Sequence, residues 1–196
     1  FLFWLAFFMC LLMLYALGSW LPKLMMAAGY SLGSSLMFLL ALNIGAVIGT
    51  ISGGVLADRF DFKPVLISML VVGVLSLVGL GFNSPQPVIY LLVSLAGASS
   101  IGSSILLYSY VAQYYPVAVR STGIGWASAV GRTGAIVGPI VIGMLLGMEL
   151  PHKWNFIAVA IPGIIGAMAI FFIRPAKTAE IKAEPTVAVS AQPIRS

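Results

Sequence analysis

Charge is the scarcest property of this 196-residue sequence. Only 8% of its residues are charged, against about 25% in ordinary soluble domains, whereas 61% are hydrophobic. A soluble domain of this length has too small an interior to bury so much apolar surface. The composition therefore excludes a soluble nucleic-acid-binding protein and predicts an integral membrane protein that lies in a lipid bilayer.

Residues that support metal or disulfide chemistry are almost absent as well. Cys10 is the one cysteine, so no disulfide can form within the chain. His152 is the one histidine and follows a predicted helix on the outer side, which argues against a metal site. The sequence contains no CxxC motif, no HExxH motif and no nucleotide-binding glycine loop. We therefore expect no cofactor, no metal and no enzyme activity.

Long apolar runs make up most of the chain. A transmembrane helix needs about 20 mostly apolar residues, and helices are expected because a chain in lipid must satisfy its backbone internally. We predict an all-α membrane unit over residues 1–174 and a disordered cytoplasmic tail, poor in large apolar groups, over 175–196. The six predicted spans lie at about 1–26, 32–57, 64–82, 88–111, 121–148 and 154–173.

Lysine and arginine are distributed unevenly between the two ends of these spans. Positive residues concentrate in cytoplasmic loops. Only Lys23 and Lys153 fall toward one side, and we expect that side to be external, with even-numbered spans and the C-terminus reaching the cytoplasm. We expect the membrane to be a bacterial-type cytoplasmic (inner) membrane. Seven cations define the cytoplasmic side: Arg59, Lys63, Arg120, Arg174, Lys177, Lys182 and Arg195.

One cation lies where hydrocarbon is expected. Arg132 follows Arg120 by twelve residues, about 18 Å along a helix, which puts it near the middle of a ~30 Å core. Charge in a membrane is costly and normally faces a cavity or a partner. Arg132 shares a stripe of small and polar residues with Ser128, and this stripe suits a water-filled cavity.

The acidic residues offer Arg132 no counter-ion within the spans. Its partner is therefore a backbone carbonyl, a residue outside this sequence or an anionic ligand. Structural pairing is the plain alternative, and we favour contact with a ligand because ionisable groups inside membranes are usually functional. The chain has five acidic residues, none deep in a span: Asp58, Asp61, Glu149, Glu180 and Glu184.

Five further residues are candidates to line a cavity. Tyr15 and Trp20 in the first span offer aromatic surface, and Asn43 is the polar residue nearest the middle of the second. Ser104 and Tyr108 share one face of the fourth span. Each has a structural alternative: packing for Asn43 and the tyrosines, an interface anchor for Trp20, and a bond to its own helix for serine.

Small residues recur at helical spacing in two spans. Such stripes allow helices in membranes to approach closely, so we interpret both as packing surfaces. The second span carries Gly45, Gly49 and Gly53, and the fifth carries Ala127, Gly131, Gly134 and Gly138.

The stretch GGVLADRFDFKP, residues 53–64, gives the most specific signal. Asp58 closes the second span, where a carboxylate is unfavourable toward the negative end of its own helix and favourable toward the start of another. We infer that Asp58 docks on the start of the fifth span, at 121–123, as a latch between cytoplasmic ends. Three cations would surround it: Arg59, Lys63 and Arg120.

The pattern G-x-L-A-D-R-F resembles the loop motif of the major facilitator superfamily. Its glycine is Gly54, its aspartate is Asp58 and its arginine is Arg59. That family has twelve helices in two halves of six. The resemblance implies that residues 1 to about 174 are the C-terminal half, helices seven to twelve, of a longer polypeptide that also supplies an N-terminal six-helix half. Asp61 and Phe62 stand where glycine and a basic residue are usual, which weakens the latch more than the family assignment.

A narrower resemblance rests on YALGSWLPKLM (15–25), GYSLGSSL (29–36) and YYPVAVRSTGIGWASAVGRTGAIVGP (114–139). These stretches are similar to the aromatic acid:proton symporters, which carry benzoate, hydroxybenzoates and related ring carboxylates inward. The resemblance implies a small aromatic carboxylate and protons as partners, and roles in transport for Arg120 and Arg132. It also implies that the acidic proton site lies in the other half.

Other functions stay open on the sequence. A carrier of the same fold for another organic anion, a sugar or a drug is the nearest, because Arg132 indicates an anion but no ring. A six-helix oligomeric channel or scaffold belongs to a different class. A membrane enzyme comes third, since no pair of ionisable residues within a span supports one.

Overall fold

The computed structural model describes residues 1–82, 84–148 and 151–173. Within them the chain is helical and forms no strand, and each helix is long and apolar enough to cross a membrane. The predicted all-α fold with six spanning helices is confirmed, whereas the predicted tail over 175–196 lies outside the described residues. The helices are α1 (Leu2–Ala27), α2 (Leu32–Phe60), α3 (Phe62–Leu80), α4 (Gln86–Tyr114), α5 (Val117–Gly147) and α6 (His152–Phe172).

Turn chemistry in the sequence sets the helix ends. Ser31 caps α2, where its hydroxyl accepts a hydrogen bond from the Ser34 amide at 3.3 Å. Helices α4, α5 and α6 each begin directly after a proline, at Pro85, Pro116 and Pro151. Proline suits this place because its missing N–H would have no partner in the first turn. As a result α5 begins four residues before the predicted start at 121.

The junction between α2 and α3 is a single residue. Asp61 has φ 69° and ψ 154°, a region that glycine occupies easily and other residues rarely adopt. This backbone explains why the superfamily motif favours glycine at the position that Asp61 fills. This one-residue link leads the chain directly from α2 into α3.

The helices form a front layer and a back pair. In the front layer α1 packs along α5 and α2 packs along α4, while α2 and α5 do not contact each other. Helices α3 and α6 pack together behind, with α3 against α4 and α6 against α1. The core lies between the layers, where Phe7, Met13, Leu70 and Phe156 are fully buried.

Glycine brings α2 and α4 into backbone contact. A Cβ atom on Gly45 would meet the Ser94 backbone, and one on Gly97 would meet the Leu42 backbone. Ser94 adds a hydrogen bond across the same contact, from its hydroxyl to the Ala41 carbonyl oxygen at 3.2 Å. Close approach through small residues is the usual basis of helix packing in membranes.

The α1–α5 contact is built in the same way. A Cβ atom on Gly134 would meet the Phe8 backbone, and one on Gly138 would meet the Leu12 backbone. Because α1 and α5 run in parallel, these contacts fix the height of every α5 side chain relative to α1.

Candidate functional site

A cleft of about 380 Å³ opens between α1, α2 and α4 on the front layer. Tyr15 and Asn43, two residues predicted to line a cavity, both lie on its wall. Tyr15 is 46% exposed, so much of its side chain is accessible. Clefts of this size with mostly apolar walls and a few polar groups are typical of small-molecule sites. The remaining lining residues are Leu14, Gly18, Ser19, Leu39, Leu42, Ser100 and Ile101.

The polar groups of the cleft are partly committed to their own helices. The Asn43 amide nitrogen donates to the Leu39 carbonyl oxygen at 2.8 Å, which leaves its second N–H and its oxygen for a ligand. The Ser100 hydroxyl donates to the Ala96 carbonyl oxygen at 2.8 Å. Asn43 is exposed and Ser100 is buried, so Asn43 is the more accessible of the two.

Ser19 is a cleft residue that the sequence analysis missed. It lies four positions after Tyr15, on the same face of α1, and it is exposed. A hydroxyl one helical turn from an exposed tyrosine, within an apolar run, was the signal that could have identified it.

Tyr108 and Ser128 join the C-terminal part of α4 to the first half of α5. Their side-chain oxygens lie 3.1 Å apart in a hydrogen bond. The Phe7 ring packs edge-on against Tyr108, with ring centroids 4.7 Å apart. Both hydroxyl residues are half-buried, so this pair holds two helices of the front layer together.

Ser104 does not line the cleft, contrary to the sequence prediction. It is only 5% exposed, and its hydroxyl donates to the Ile101 carbonyl oxygen of its own helix at 2.8 Å. The prediction used the face that Ser104 shares with Tyr108, but helix packing covers that face at the level of Ser104.

Arg132 is exposed in the middle of α5. The preceding residue, Gly131, abuts Phe7 and Leu11 of α1, so Arg132 lies near the level of Leu11. That level is four residues, or about 6 Å along the helix, from the level of Tyr15. Arg132 is also one turn beyond Ser128, so it lies in height between the tyrosine–serine pair and the cleft.

The exposed guanidinium of Arg132 limits what can surround this part of α5. Lipid hydrocarbon is too costly an environment for it, so this side of α5 faces water or further protein. The acidic residues that the structure describes are Asp58 and Asp61, both at the α2–α3 junction. Arg132 therefore has no carboxylate partner in the described part of the chain.

Trp20 lies toward the C-terminal end of α1. Its ring packs against the position of Gly143 on α5, and the Lys23 ammonium lies 4.5 Å from the ring centroid. Trp20 is half-buried and is not among the residues of the cleft wall. This placement favours the interface-anchor alternative over a stacking surface for a ligand.

The predicted docking of Asp58 on the start of α5 is wrong for this structure. Helices α2 and α5 do not contact each other, because α1 and α4 lie between them. Asp58 is exposed at the end of α2. The end of α2 and the start of α5 border the same face of the bundle, which suggested that they meet, but the packing order separates them.

The cations expected around Asp58 have other positions. The Lys63 ammonium donates to the Ile173 carbonyl oxygen at 2.7 Å, and the Arg120 guanidinium donates to the Tyr115 carbonyl oxygen at 3.5 Å. Arg59 is exposed. Lys63 thus binds the end of α6 and Arg120 binds the turn between α4 and α5, so the predicted cluster around Asp58 does not form. A Cβ atom added at Gly54 would meet nothing within 4 Å, so no close packing requires glycine there.

The chain matches the family described as Major Facilitator Superfamily over residues 3–196. It belongs to that superfamily. It is 51% identical over 173 residues to a benzoate transport protein of Acinetobacter baylyi, a match that covers 88% of this chain and 37% of the relative. A gentisate transporter of Corynebacterium glutamicum is 41% identical over 168 residues, covering 85% of this chain and 37% of the relative. A 4-hydroxybenzoate transporter of A. baylyi is 32% identical over 176 residues, covering 87% and 37%.

These relatives confirm both resemblances, to the superfamily and to its aromatic acid transporters. This chain is accordingly a multi-pass membrane protein with the six-helix architecture of half a major facilitator fold. It spans about 37% of the length of each of these relatives. Each relative is described as a transporter and none of the three as an enzyme, in agreement with the expectation for this chain.

Proposed function

We propose that this chain forms six helices of a secondary carrier that takes up a small aromatic carboxylate together with protons. The observation that supports it most is Arg132, a guanidinium exposed in the middle of α5 without a carboxylate partner in the described part of the chain. Tyr15 lies on the wall of the cleft, and its level on α1 is about 6 Å from the level of Arg132 along the helix axis. An anion-binding group and an aromatic-lined cleft suit a ring that bears a carboxylate.

The proposed binding mode assigns one role to each group. Arg132 binds the carboxylate directly or through water, because the planar guanidinium matches a carboxylate in two hydrogen bonds. The ring lies in the cleft between Tyr15 and the apolar wall. Asn43, with an amide oxygen and one N–H unused, accepts or donates a bond to a ring hydroxyl where the substrate has one.

Proton coupling is assigned to the rest of the transporter. The six described helices contain no carboxylate away from the α2–α3 junction, so the proton-carrying group belongs to a second six-helix half. Substrate sites of such carriers lie near the midplane between halves, and rocking of one half against the other alternates access. The bias of lysine and arginine orients the carrier in the cytoplasmic membrane with the C-terminus inside.

Other solutes are the second candidate within this fold. Arg132 selects for an anion, so an aliphatic organic acid fits this side chain as well as a ring acid does. A sugar or an uncharged drug leaves the exposed guanidinium without a partner. A six-helix channel or scaffold also leaves the cleft and Arg132 unexplained, and it predicts flux that does not saturate.

Uptake measurements test the proposal. Cells that express the full-length protein should accumulate radiolabelled benzoate or 4-hydroxybenzoate, with saturation, and a protonophore should abolish the accumulation. Gentisate, adipate and glucose serve as competitors of different chemistry. Gentisate should inhibit this uptake, whereas adipate and glucose should not. Accumulation of labelled adipate but of neither labelled ring acid would replace the aromatic substrate by another anion, and non-saturating flux would favour the channel.

A further inference from the structure

A groove of about 430 Å³ runs along the back of the bundle between α3 and α6. Every residue that lines it is apolar, and several are strongly exposed, among them Leu75 at 65% and Phe171 at 63%. The groove lies behind the layer that forms the cleft, so the proposed substrate path makes no use of it. The lining residues from α3 are Ile67, Val71, Val74 and Leu75.

The length of the groove matches one leaflet of a bilayer. Ile67 and Leu75 are eight residues apart, which is about 12 Å along α3. Half of a ~30 Å hydrocarbon core is about 15 Å. The groove begins near the cytoplasmic start of α3, so its occupant lies in the cytoplasmic leaflet and runs parallel to the helices.

A positive charge stands at the cytoplasmic mouth of the groove. Lys63 precedes Ile67 by four residues, so the two share one face of α3. Its ammonium donates to the Ile173 carbonyl oxygen at 2.7 Å and lies 5.6 Å from the centroid of the Phe171 ring, which lines the groove. An ammonium has three donors, so a carbonyl contact leaves donors for a second acceptor and does not neutralise the charge.

We propose that this groove binds one acyl chain of an anionic phospholipid whose phosphate contacts Lys63. The apolar walls contact the acyl chain, and the ammonium at the mouth donates to a phosphate oxygen of the headgroup. Basic groups between membrane helices on the cytoplasmic side are suited to anionic headgroups. The lipid contacts α3 and α6 together, and it stabilises the back pair independently of the substrate.

Native mass spectrometry of the full-length protein tests this site. The protein is equilibrated with equal amounts of phosphatidylglycerol and phosphatidylethanolamine, and the lipids retained on it are counted. We expect the wild-type protein to retain phosphatidylglycerol in preference to phosphatidylethanolamine. In Lys63→Gln the ratio of the two retained lipids should fall about fivefold. This factor corresponds to about 1 kcal/mol for one lysine near an anionic surface.

Matched variants separate charge from folding. Lys63→Arg should keep the preference, and Lys153→Gln should leave it unchanged because Lys153 is an exposed lysine at the opposite end of the helices. Ala167→Phe, which fills the groove from α6, should lower phosphatidylglycerol retention with Lys63 intact. Equal retention of both lipids by the wild-type protein would overturn the proposal. So would an unchanged preference in Lys63→Gln, or a protein dimer that excludes lipid from the groove.

Discussion

At the scale of single residues, Arg132 shows what can be predicted from composition and from position along a helix. The scarcity of acidic residues and the distance from Arg120 were enough to predict a charge at mid-membrane without a counter-ion in the chain. Its exposure in the structure agrees with an open, hydrated or protein-covered face. The sequence did not separate Ser104 from its neighbours, because one helical face can be open at one level and covered at the next.

Replacement of Arg132 tests the role of its charge. Arg132→Gln should abolish uptake of the ring acid, because the substrate carboxylate then lacks its cationic partner, and Arg132→Lys should recover part of it. Membrane insertion should be unchanged in both. Thr133→Ala is the matched control: Thr133 is also exposed, and its hydroxyl donates within its own helix, to the Val130 carbonyl oxygen at 2.7 Å. Normal uptake by Arg132→Gln would show that Arg132 does not bind the substrate.

At the scale of helices, the sequence predicted the packing surfaces and missed the packing order. The stripes at Gly45 and Gly134 mark close contacts of α2 with α4 and of α1 with α5, because small residues at helical spacing have a direct steric meaning. Which helices are neighbours depends on contacts far apart in sequence. For that reason the docking of Asp58 on α5 was wrong although its electrostatic argument was sound.

Gly45→Ala tests the α2–α4 contact. The added methyl group would meet the Ser94 backbone, which can move away only if the helices separate, so we expect a loss of about 1–3 kcal/mol in stability. Unfolding of the purified protein in detergent measures the loss. Gly54→Ala, in the same helix but with open space around the new atom, should show no such loss and should gain up to about 1 kcal/mol, because alanine lowers the chain entropy of the unfolded state. Equal stability of Gly45→Ala and wild type would argue against the close contact.

Asp61 offers a test of the α2–α3 junction. Asp61→Gly should raise the stability by about 1 kcal/mol, since glycine relieves a backbone strain of roughly 1–3 kcal/mol at some cost in chain entropy. Asp61→Ala removes the carboxylate but keeps the unfavourable φ, so it should give no such gain. Unfolding midpoints of the three proteins decide between strain and charge. A gain in Asp61→Ala equal to that in Asp61→Gly would assign the effect to the carboxylate.

At the scale of the whole molecule, the two sides of the bundle differ in chemistry. The front presents Tyr15, Asn43 and Arg132, and the back presents the apolar groove between α3 and α6. Composition predicted the membrane class and six helices because both follow from local hydrophobicity. The cleft was not predictable as a volume, since it depends on how α1, α2 and α4 diverge.

Cysteine accessibility is the most direct test of the claim that the front is the substrate-facing side. Asn43→Cys and Val71→Cys are introduced into full-length protein without other reactive cysteines, with Cys10 retained because it is buried. A membrane-impermeant maleimide should label Asn43→Cys from water, benzoate should slow that labelling, and Val71→Cys should resist labelling in lipid. Labelling of Asn43→Cys at the same rate with and without benzoate, or labelling only of Val71→Cys, would contradict the account.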